Sequence, residues 1–461
     1  MKWRVFALVA IGVYLTTLDS SIVNVALPQM MSSLNTSLTT IQWVITVYLL
    51  TVSALLLVAG KLSDIYGRRW IYSLGFIIFT LGSLGCGLAG QVQVLIIARA
   101  VQGVGAAMIM ACSPALIVDI FLPHERGKAL GLIGTVIACG LISGPALAGV
   151  MLKFFSWHSI FLINVPIGLL TSVLALFRLP RFTQQKAHSF DHLGATLIIM
   201  GMAAILIWLI YGQPWGYLST PTLFTLATAC ACLAGFIYTE GNAGCPILDL
   251  SLLKNRLFVI GVLSLGIHFA CLFTILFLMP FFLSCATGYT ADKTGYMFII
   301  LFAFLFILGP LSGSMSDRFG ARWLCLAGMV FLGGALFWFS RLSITANFFQ
   351  IAGGMGLAGM GLAIFMPPNN AVALSCVPAA LRGVAAGVVA TARNVGMIVG
   401  VTIAGLIFNA TFQKLSGGLS FKEYRPELGA FFIDAFHQAM FGSCLLAAVG
   451  VVLVFFQSHR A

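Results

Sequence analysis

Two charged residues, Asp19 and Arg99, lie within apolar runs that are each long enough to cross a lipid bilayer. A charge at that depth is costly and indicates either a function or a charged partner. With a helical rise of about 1.5 Å per residue, Asp19 is expected roughly 14 Å and Arg99 about 8 Å from the outer ends of their helices. Long side chains bridge such a difference, so the sequence predicts an ion pair. The pair would act as a proton switch, in which a protonated Asp releases the Arg, or would only fasten two helices.

Three further polar residues lie inside apolar runs and are candidates for a proton or substrate site. They are Asn24, His268 and Arg393. His268 would relay protons or bind substrate, because its charge changes near neutral pH, or would be a hydrogen-bonded packing residue. Arg393 must face protein or water rather than lipid. The apolar runs hold no nucleophile–base pair and no metal-ligand spacing, so we expect neither a metal nor a cofactor, and an enzyme is disfavoured.

A short polar segment occurs twice, at 60–70 and again 253 positions later (313 − 60) at 313–323. Six of the eleven positions are identical and both copies lie between apolar runs, which indicates a duplicated membrane architecture. We predict a turn of about ten residues in each copy and a gating loop on the cytoplasmic side. Its candidate residues are Gly60, Asp64, Gly67, Arg68 and Arg69 with Asp119 in the first copy, and Gly313, Asp317, Gly320 and Arg322 in the second.

A glycine-rich stretch at 140–149 holds Gly140, Gly144, Pro145 and Gly149 within one apolar run. Glycines spaced in this way allow a second helix backbone to approach, and a proline removes a helical hydrogen bond. The stretch is therefore a hinge or seal between two parts of the protein, or it is only a kinked helix.

The composition requires a lipid environment for most of the chain. Of its 461 residues 60% are hydrophobic and 8% charged, whereas soluble domains carry roughly 25% charged residues. We predict an all-α integral membrane protein. Fourteen runs reach the length of about 20 residues that a transmembrane helix needs. They are 5–28, 40–60, 70–90, 94–118, 127–151, 158–177, 192–211, 221–238, 257–283, 295–313, 321–341, 348–368, 383–409 and 433–456.

The position of the repeated segment sets the domain organisation. It joins helices 2 and 3 and then helices 10 and 11, so two helices are inserted between two six-helix bundles. The predicted divisions are 1–180 for the first bundle, 181–250 for the inserted helices and 251–461 for the second bundle.

The distribution of Lys and Arg predicts the orientation. With the N-terminus in the cytoplasm, sixteen of the 24 basic residues lie in cytoplasmic segments, six lie outside and two lie within spans. Both termini are therefore expected in the cytoplasm. The net charge of +12 follows from this bias, and no nucleic-acid partner is expected.

These motifs together resemble the major facilitator superfamily, and specifically its fourteen-helix drug:proton antiporter branch. The segment 60–70 is similar to the superfamily's loop between helices 2 and 3. The segments around Asp19 and at 99–105 are similar to the branch's signatures in helices 1 and 4. The stretch 140–168 resembles its antiporter motif, and Gly288 with Gly295 resembles the outer loop before helix 10.

The resemblance implies the major facilitator fold, with two bundles rocking between inward-open and outward-open states. Helices 1, 4, 9 and 12 would line a central cavity, and helices 2, 5, 10 and 13 would lie between the bundles. The family couples inward proton flow to efflux, with Asp19 and Arg99 in the positions of its helix 1 acid and helix 4 arginine. The other acids of this chain lie at span edges or in loops, which disfavours divalent cations as substrates.

The function expected from this resemblance is proton-coupled export of amphipathic drugs or toxic compounds. The alternative is export of one dedicated metabolite, such as an antibiotic, a siderophore or an amino-acid derivative. A non-transporting receptor or a membrane-bound enzyme is the alternative of another class. The expected partners are a small-molecule substrate, protons and the lipid bilayer, with a periplasmic adaptor only if the source has two membranes. We expect a functional monomer in the bacterial inner (cytoplasmic) membrane.

Overall fold

The computed structural model describes residues 2–122, 125–180, 191–216, 218–242, 249–378 and 381–456 of the chain, apart from a few side chains within helices. These residues contain no β-strand. The long helices of this part of the chain are α1 (Lys2–Ser33), α2 (Trp43–Tyr66), α3 (Arg68–Gly87), α4 (Val92–Ile120), α5 (Arg126–Phe154), α6 (Asn164–Arg178), α7 (His192–Trp215), α8 (Thr220–Asn242), α9 (Arg256–Phe281), α10 (Ala291–Phe319), α11 (Ala321–Phe339), α12 (Phe348–Ser375), α13 (Arg382–Leu415) and α14 (Gly429–Phe455).

The length and composition of these helices suit a membrane. Thirteen helices of the described ranges are long and apolar enough to cross a bilayer, and α7 is the fourteenth, with a shorter apolar stretch at His192–Ile205. Large apolar side chains such as Leu81, Ile97 and Phe177 are exposed on the outside of the bundle, where lipid would cover them. The prediction of an all-α membrane protein with fourteen spanning helices is confirmed.

Lys2 pairs with Glu125 just before α5, and Phe455 lies against Arg322 just after α10. Because the end of α5 at Gly149 meets the start of α10 at Asp292, the start of α5 and the end of α10 lie on the same side. The two ends of the described chain therefore lie on one side of the bundle, called here the terminus side; the opposite side is the far side.

The helices pack in two sets with the same pattern. In the first set, α1 packs on α4 and α5, α2 packs on α4, and α3 packs on α4 and α6. In the second set, α9 packs on α12 and α13, α10 packs on α12, and α11 packs on α12 and α14. The sets meet through α5 against α10 and through α2 against α13, while α7 packs on α8 and touches α2 and α13. The domain boundaries stay a prediction, and residues 181–190 and 243–248 near them lie outside the described residues.

Glycines set the closest contacts within each set. Gly140 and Gly144 on α5 face α1, where an added Cβ would meet backbone atoms of α1. Gly396 and Gly400 on α13 face α9 in the same way, each 256 positions after its counterpart on α5 (396 − 140, 400 − 144). Only glycine lets two helix backbones approach this closely. The spacing of glycines therefore fixes equivalent contacts in both sets.

The two sets also meet closely on the far side. An added Cβ on Gly149 of α5 would meet the backbone of Asp292 on α10, and one on Gly295 would meet the carbonyl oxygen of Pro145. Lys153 adds an ion pair to Asp292, with 3.4 Å between Nζ and Oδ2. Within the antiporter-like stretch 140–149, Gly140 and Gly144 thus contact α1 of their own set, whereas Gly149 contacts α10 of the second set.

The repeated polar segments are mostly helical, so the prediction of ten-residue turns is wrong. Helix α2 continues to Tyr66, and α3 begins at Arg68. Only Gly67 breaks the helix, with φ at 95°, and Gly320 does the same between α10 and α11 with φ at 81°. Polar residues outside lipid keep their helical hydrogen bonds, whereas a residue with positive φ ends a helix and is best supplied by glycine.

Candidate functional site

Asp19 is completely buried within the first set. The Nη1 atom of Arg99 donates to Oδ2 of Asp19 at 2.5 Å, and Nε2 of Gln102 donates to Oδ1 at 2.8 Å. Nδ2 of Asn164, at the start of α6, donates to Oδ1 at 3.1 Å. Donors from α4 and α6 therefore satisfy both oxygens of a carboxylate carried by α1. We call Asp19, Arg99, Gln102 and Asn164 the Asp19 cluster.

Arg99 has partners on several helices. Its Nε donates to the carbonyl oxygen of Val44 at 2.9 Å, and its Nη1 also donates to Oε1 of Gln102 at 2.7 Å. The guanidinium carbon lies 4.1 Å from the centre of the Tyr48 ring on α2, a distance that permits a cation–π contact. Gln102 in turn donates to the hydroxyl of Ser83 on α3 at 2.7 Å. The structure thus brings together Asp19 and Arg99 and adds neutral polar residues that the sequence analysis missed.

A central cavity of about 70 Å³ lies between the two sets. Residues of α1, α4, α9 and α12 line it, as the resemblance implied, but α2, α5, α10 and α13 contribute as well. The polar lining residues are Thr16, Thr17, Ser20, Tyr48, Arg393 and Asn394, and none of the described residues in the wall is an acid.

Tyr48 connects the Asp19 cluster to the cavity. Its ring lies under Arg99 and also forms part of the cavity wall. Its hydroxyl donates to the carbonyl oxygen of Thr16 on α1 at 3.3 Å. Asp19 itself is not in the wall, but Thr16 and Ser20 are its neighbours on the same helix. A change of charge in the cluster would therefore act directly on Tyr48, which is part of the cavity wall.

Arg393 and Asn394 lie side by side in the cavity wall on α13. Nε of Arg393 and Nδ2 of Asn394 are buried and have no hydrogen-bond partner among the residues that the structure describes. Both atoms are donors. The cavity therefore offers unused donors on the side of the second set.

The other two intramembrane candidates lie elsewhere. His268 is completely buried in the second set and stacks on Phe365, with ring centres 4.2 Å apart. Neither of its ring nitrogens has a partner in the described ranges, and it is absent from the cavity wall. The stacked, buried ring fits a packing role, but the hydrogen bond that the packing alternative predicted is not among the contacts of the described residues. Asn24 is buried and donates to the carbonyl oxygen of Ser20 on its own helix at 3.1 Å.

Arg68 organises the terminus-side end of the first set. It donates to Oδ1 of Asp64 at 3.1 Å, forms an ion pair with Asp119 and donates to the carbonyl oxygen of Ala115 at 3.2 Å. Arg69 donates to the carbonyl oxygen of Leu176. All these contacts stay within the first set, so the cluster holds α2, α3 and α4 together and does not bridge the two sets. Nothing lies within 4 Å of an added Cβ at Gly60, so that glycine is not required for close packing.

The second copy of the segment lacks this arrangement. Ala321 stands where the first copy has Arg68. The guanidinium carbon of Arg322 lies 4.7 Å from the ring centre of Phe455. Gly313 has Pro367 as its nearest neighbour, at 3.8 Å from an added Cβ. The side chain of Asp317 lies outside the described part of the structure.

Comparison with known proteins identifies the class. The family model of the Major Facilitator Superfamily matches residues 9–265 and again 261–460. The chain is 31% identical over 459 residues to the riboflavin transporter RibZ of Clostridioides difficile, covering 99% of this chain and 97% of that protein. It is 34% identical over 403 residues to the multidrug resistance protein Stp of Mycobacterium tuberculosis, covering 87% and 74%.

A solved structure shares the fold. A bacterial homologue of the human lysosomal transporter Spinster, in an inward-facing and unoccupied conformation, matches with a TM-score of 0.72 at 14% identity, over 99% of this chain and 96% of that one. The chain belongs to the major facilitator superfamily and resembles its drug-efflux members. It is a multi-pass membrane transporter and not an enzyme.

Proposed function

We propose that this transporter is a proton-coupled antiporter that exports amphipathic drugs or toxic compounds by alternating access. The observation that carries the proposal is the Asp19 cluster, a buried carboxylate paired with a buried arginine next to the central cavity. The similarity to a protein named for multidrug resistance supports the substrate class. In this proposal the first and second sets are the two moving bundles.

Proton binding at Asp19 would change the forces within the cluster. An ionised Asp19 attracts Arg99, whereas a neutral Asp19 offers Arg99 no charge. Because Arg99 stacks on Tyr48, its release would alter the cavity wall. A ligand shifts a conformational equilibrium only through its different affinities for the two states. The proton meets this condition if one state keeps the pair closed and the other lets Asp19 accept a proton from water.

We further propose that the protein lies in the inner (cytoplasmic) membrane of a bacterium with the terminus side in the cytoplasm. The excess of Lys and Arg in the segments on that side supports this orientation. The proposed partners are a small-molecule substrate, protons and lipid, the proposed functional unit is a monomer, and an adaptor is expected only in a cell with two membranes.

Replacement of Asp19 tests the proposed mechanism. Asp19→Asn keeps the shape and mimics the neutral form, so we expect normal insertion, retained substrate binding, and efflux reduced to the rate of vesicles without the protein. The measurement is drug efflux in everted vesicles energised by a pH gradient, with substrate-induced proton release as the second readout. Asp434→Asn, which removes an exposed carboxylate on α14, is the matched control and should transport normally. Gradient-driven efflux with proton movement in Asp19→Asn would show that Asp19 only fastens two helices.

A dedicated exporter of one metabolite is the second candidate function. The unpartnered donors of Arg393 and Asn394 favour it, because they would select for one kind of acceptor group. The relative named as a riboflavin transporter supports a dedicated substrate. Efflux measured over a panel of dyes, antibiotics and riboflavin separates the two functions, since a dedicated exporter should move one compound class and a drug exporter several unrelated ones.

A further inference from the structure

The two arginines that lie near the cavity differ in their partners. Arg99 is satisfied by Asp19, Gln102 and a backbone carbonyl. Arg393 forms no ion pair or hydrogen bond with any other residue that the structure describes, and its Nε is buried. Leaving a buried donor unpaired costs free energy, and more so when it is charged. Arg393 therefore lies where water or a bound compound must supply the acceptor.

The surroundings of Arg393 restrict what that compound is. The neighbouring Nδ2 of Asn394 is a second unused donor, and no described residue of the cavity wall carries a carboxylate that would compete for either donor. A cationic group on a substrate would meet the like charge of Arg393 without a compensating acid. An acceptor-rich anionic group would satisfy both donors at once, and a guanidinium binds a carboxylate in two-point geometry.

The remainder of the cavity is apolar and partly aromatic. Phe269 and Phe273 of α9, Phe302 of α10 and Tyr48 of α2 line it. Such rings pack on the flat face of another aromatic system at distances of about 4.5–7 Å between centres. Thr16 and Ser20 line the cavity on α1. The cavity thus combines aromatic walls with one donor-rich end.

We propose that Arg393 and Asn394 form the polar anchor of the substrate site and that the site takes aromatic compounds carrying an anionic oxygen group such as a carboxylate. Because this anchor would determine which compounds the proposed exporter moves, the inference rests on the proposed function. Binding itself needs no proton gradient, and the two proposals can therefore fail separately.

The first test is binding to the purified wild-type protein in detergent. Fluorescence anisotropy of fluorescein, an anionic xanthene, should show saturable binding. In competition, 2-naphthoate should displace fluorescein at a concentration about tenfold or more below that of 2-naphthamide, because only the naphthoate carries the charge that Arg393 would pair. Equal displacement by the two competitors, or no saturable binding of fluorescein, overturns the proposal. This test involves no variant and does not depend on how a mutant folds.

The second test uses matched variants. Arg393→Gln should weaken fluorescein binding by about tenfold or more and should not weaken binding of rhodamine 6G, a cationic xanthene. Arg393→Lys, which keeps the charge and loses the planar fork, should lie between wild type and Arg393→Gln. Arg341→Gln removes the same charge from an exposed residue after α11 and should change nothing. Unchanged fluorescein binding in Arg393→Gln overturns the proposal.

Asp19→Asn separates this inference from the proposed function. It should still bind fluorescein saturably, with 2-naphthoate displacing it better than 2-naphthamide, and should fail to export it from vesicles. If Asp19→Asn exports normally while Arg393→Gln loses fluorescein binding, the coupling proposal fails and the anchor stands. If Asp19→Asn abolishes transport while Arg393→Gln binds fluorescein normally, the anchor fails and the coupling proposal stands.

Discussion

The Asp19 cluster of the first set has a structural counterpart in the second set with different chemistry. The backbone contacts of Gly103 and Gly105 on α4 recur at Gly359 and Gly361 on α12, 256 positions later in both cases (359 − 103, 361 − 105). By that offset, Met355 corresponds to Arg99. Between α1 and α9 the offset is 252 positions (266 − 14). Tyr14 of α1 contacts Gly140, and Gly266 of α9 contacts Gly396, the counterpart of Gly140.

The counterpart positions in the second set are uncharged. Cys271 stands for Asp19, Met355 for Arg99 and Ala358 for Gln102, and all three are completely buried. Cys271 donates weakly to the carbonyl oxygen of Ser443 on α14 at 3.4 Å, as Asp19 contacts Asn164 on α6. The same backbone arrangement therefore holds an ion pair in one set and apolar packing in the other.

The comparison shows that the close packing of the helices does not depend on a buried ion pair. Glycine contacts are present in both sets, so they serve the fold that both share. Among the described residues, the buried ion pair occurs in the first set and the unpartnered arginine of the cavity in the second, where Arg393 corresponds to Ile137 of α5 (393 − 256). This difference accords with the two proposals, in which the first set carries the proton site and the second set supplies the polar anchor of a cavity that both sets line.

The largest expected effect comes from making the first set resemble the second at one position only. Arg99→Met leaves Asp19 buried without a cation, which costs about 3–5 kcal/mol of stability when one partner of a buried pair is removed. We expect a large fall in the thermal unfolding temperature of the purified protein and no gradient-driven efflux. Met355→Leu, a volume-conserving change at the counterpart position, should cost less than about 1.5 kcal/mol.

The double variant Asp19→Cys/Arg99→Met sharpens this test. It copies two of the three counterpart residues of the second set and removes both charges, so most of the lost stability should return, because replacing a buried pair by apolar residues is often close to neutral. Efflux should remain absent. An Arg99→Met protein as stable as the wild type would show that the Asp19–Arg99 pair does not stabilise the fold. Gradient-driven efflux by the double variant would show that another residue carries the proton.

The sequence was sufficient for the helices and for the ion pair. Apolar runs of membrane length predict spans without reference to tertiary structure, and each of the fourteen runs is a helix, thirteen of them long and apolar enough to cross a bilayer by this criterion. Two opposite charges inside such runs have few alternatives to pairing, so Asp19 and Arg99 could be matched from their depths. Their functional role stays a prediction, because an ion pair that switches and one that fastens have the same residues.

The neutral members of the cluster could not be predicted. Gln102 and Ser83 lie in apolar helices, and Asn164 begins a helix 145 positions after Asp19 in the chain. A neutral polar residue in a span has many potential partners, and only the packing of α1, α3, α4 and α6 selects one. The prediction of turns at the two repeated polar segments failed for another reason. Their polarity indicates a location outside lipid and not a loss of helical structure.

An effect of intermediate size is expected where the two sets are alike. Gly144→Leu and Gly400→Leu would each force a side chain against a neighbouring helix backbone, and overpacking costs about 1–3 kcal/mol. Both variants should unfold at lower temperature and transport poorly or leak protons. Gly134→Leu, on the same helix as Gly144 but with nothing within 4 Å of an added Cβ, is the control. Normal transport in Gly144→Leu with a defect in Gly400→Leu would mean that the α1–α5 contact is ordinary packing.

The smallest effect is expected at the exposed charges of the first set. Arg68 pairs with Asp64 and Asp119 while its side chain is 20% exposed, and theirs are 42% and 25% exposed. Such pairs contribute about 0–1 kcal/mol each, because water already stabilises the separate charges. Arg68→Ala should therefore lower the unfolding temperature slightly, and the loss should shrink in about 1 M salt, where charges are screened over about 3 Å. Lys61→Ala, which removes a charge nearby on α2, is the control.

The outcome for Arg68 also bears on how the two sets move. Its contacts stay within the first set, and the second set has Ala321 at the same position. If Arg68 only holds the ends of α2, α3 and α4 together, Arg68→Ala should keep most of the gradient-driven efflux that Asp19→Asn loses. The difference in efflux between Arg68→Ala and the wild type should then shrink in salt in parallel with the difference in their stability. A loss of efflux as complete as that of Asp19→Asn, in a protein of normal stability, would contradict this. It would mean that the exposed cluster, and not the buried one alone, distinguishes the conformations between which the transporter moves.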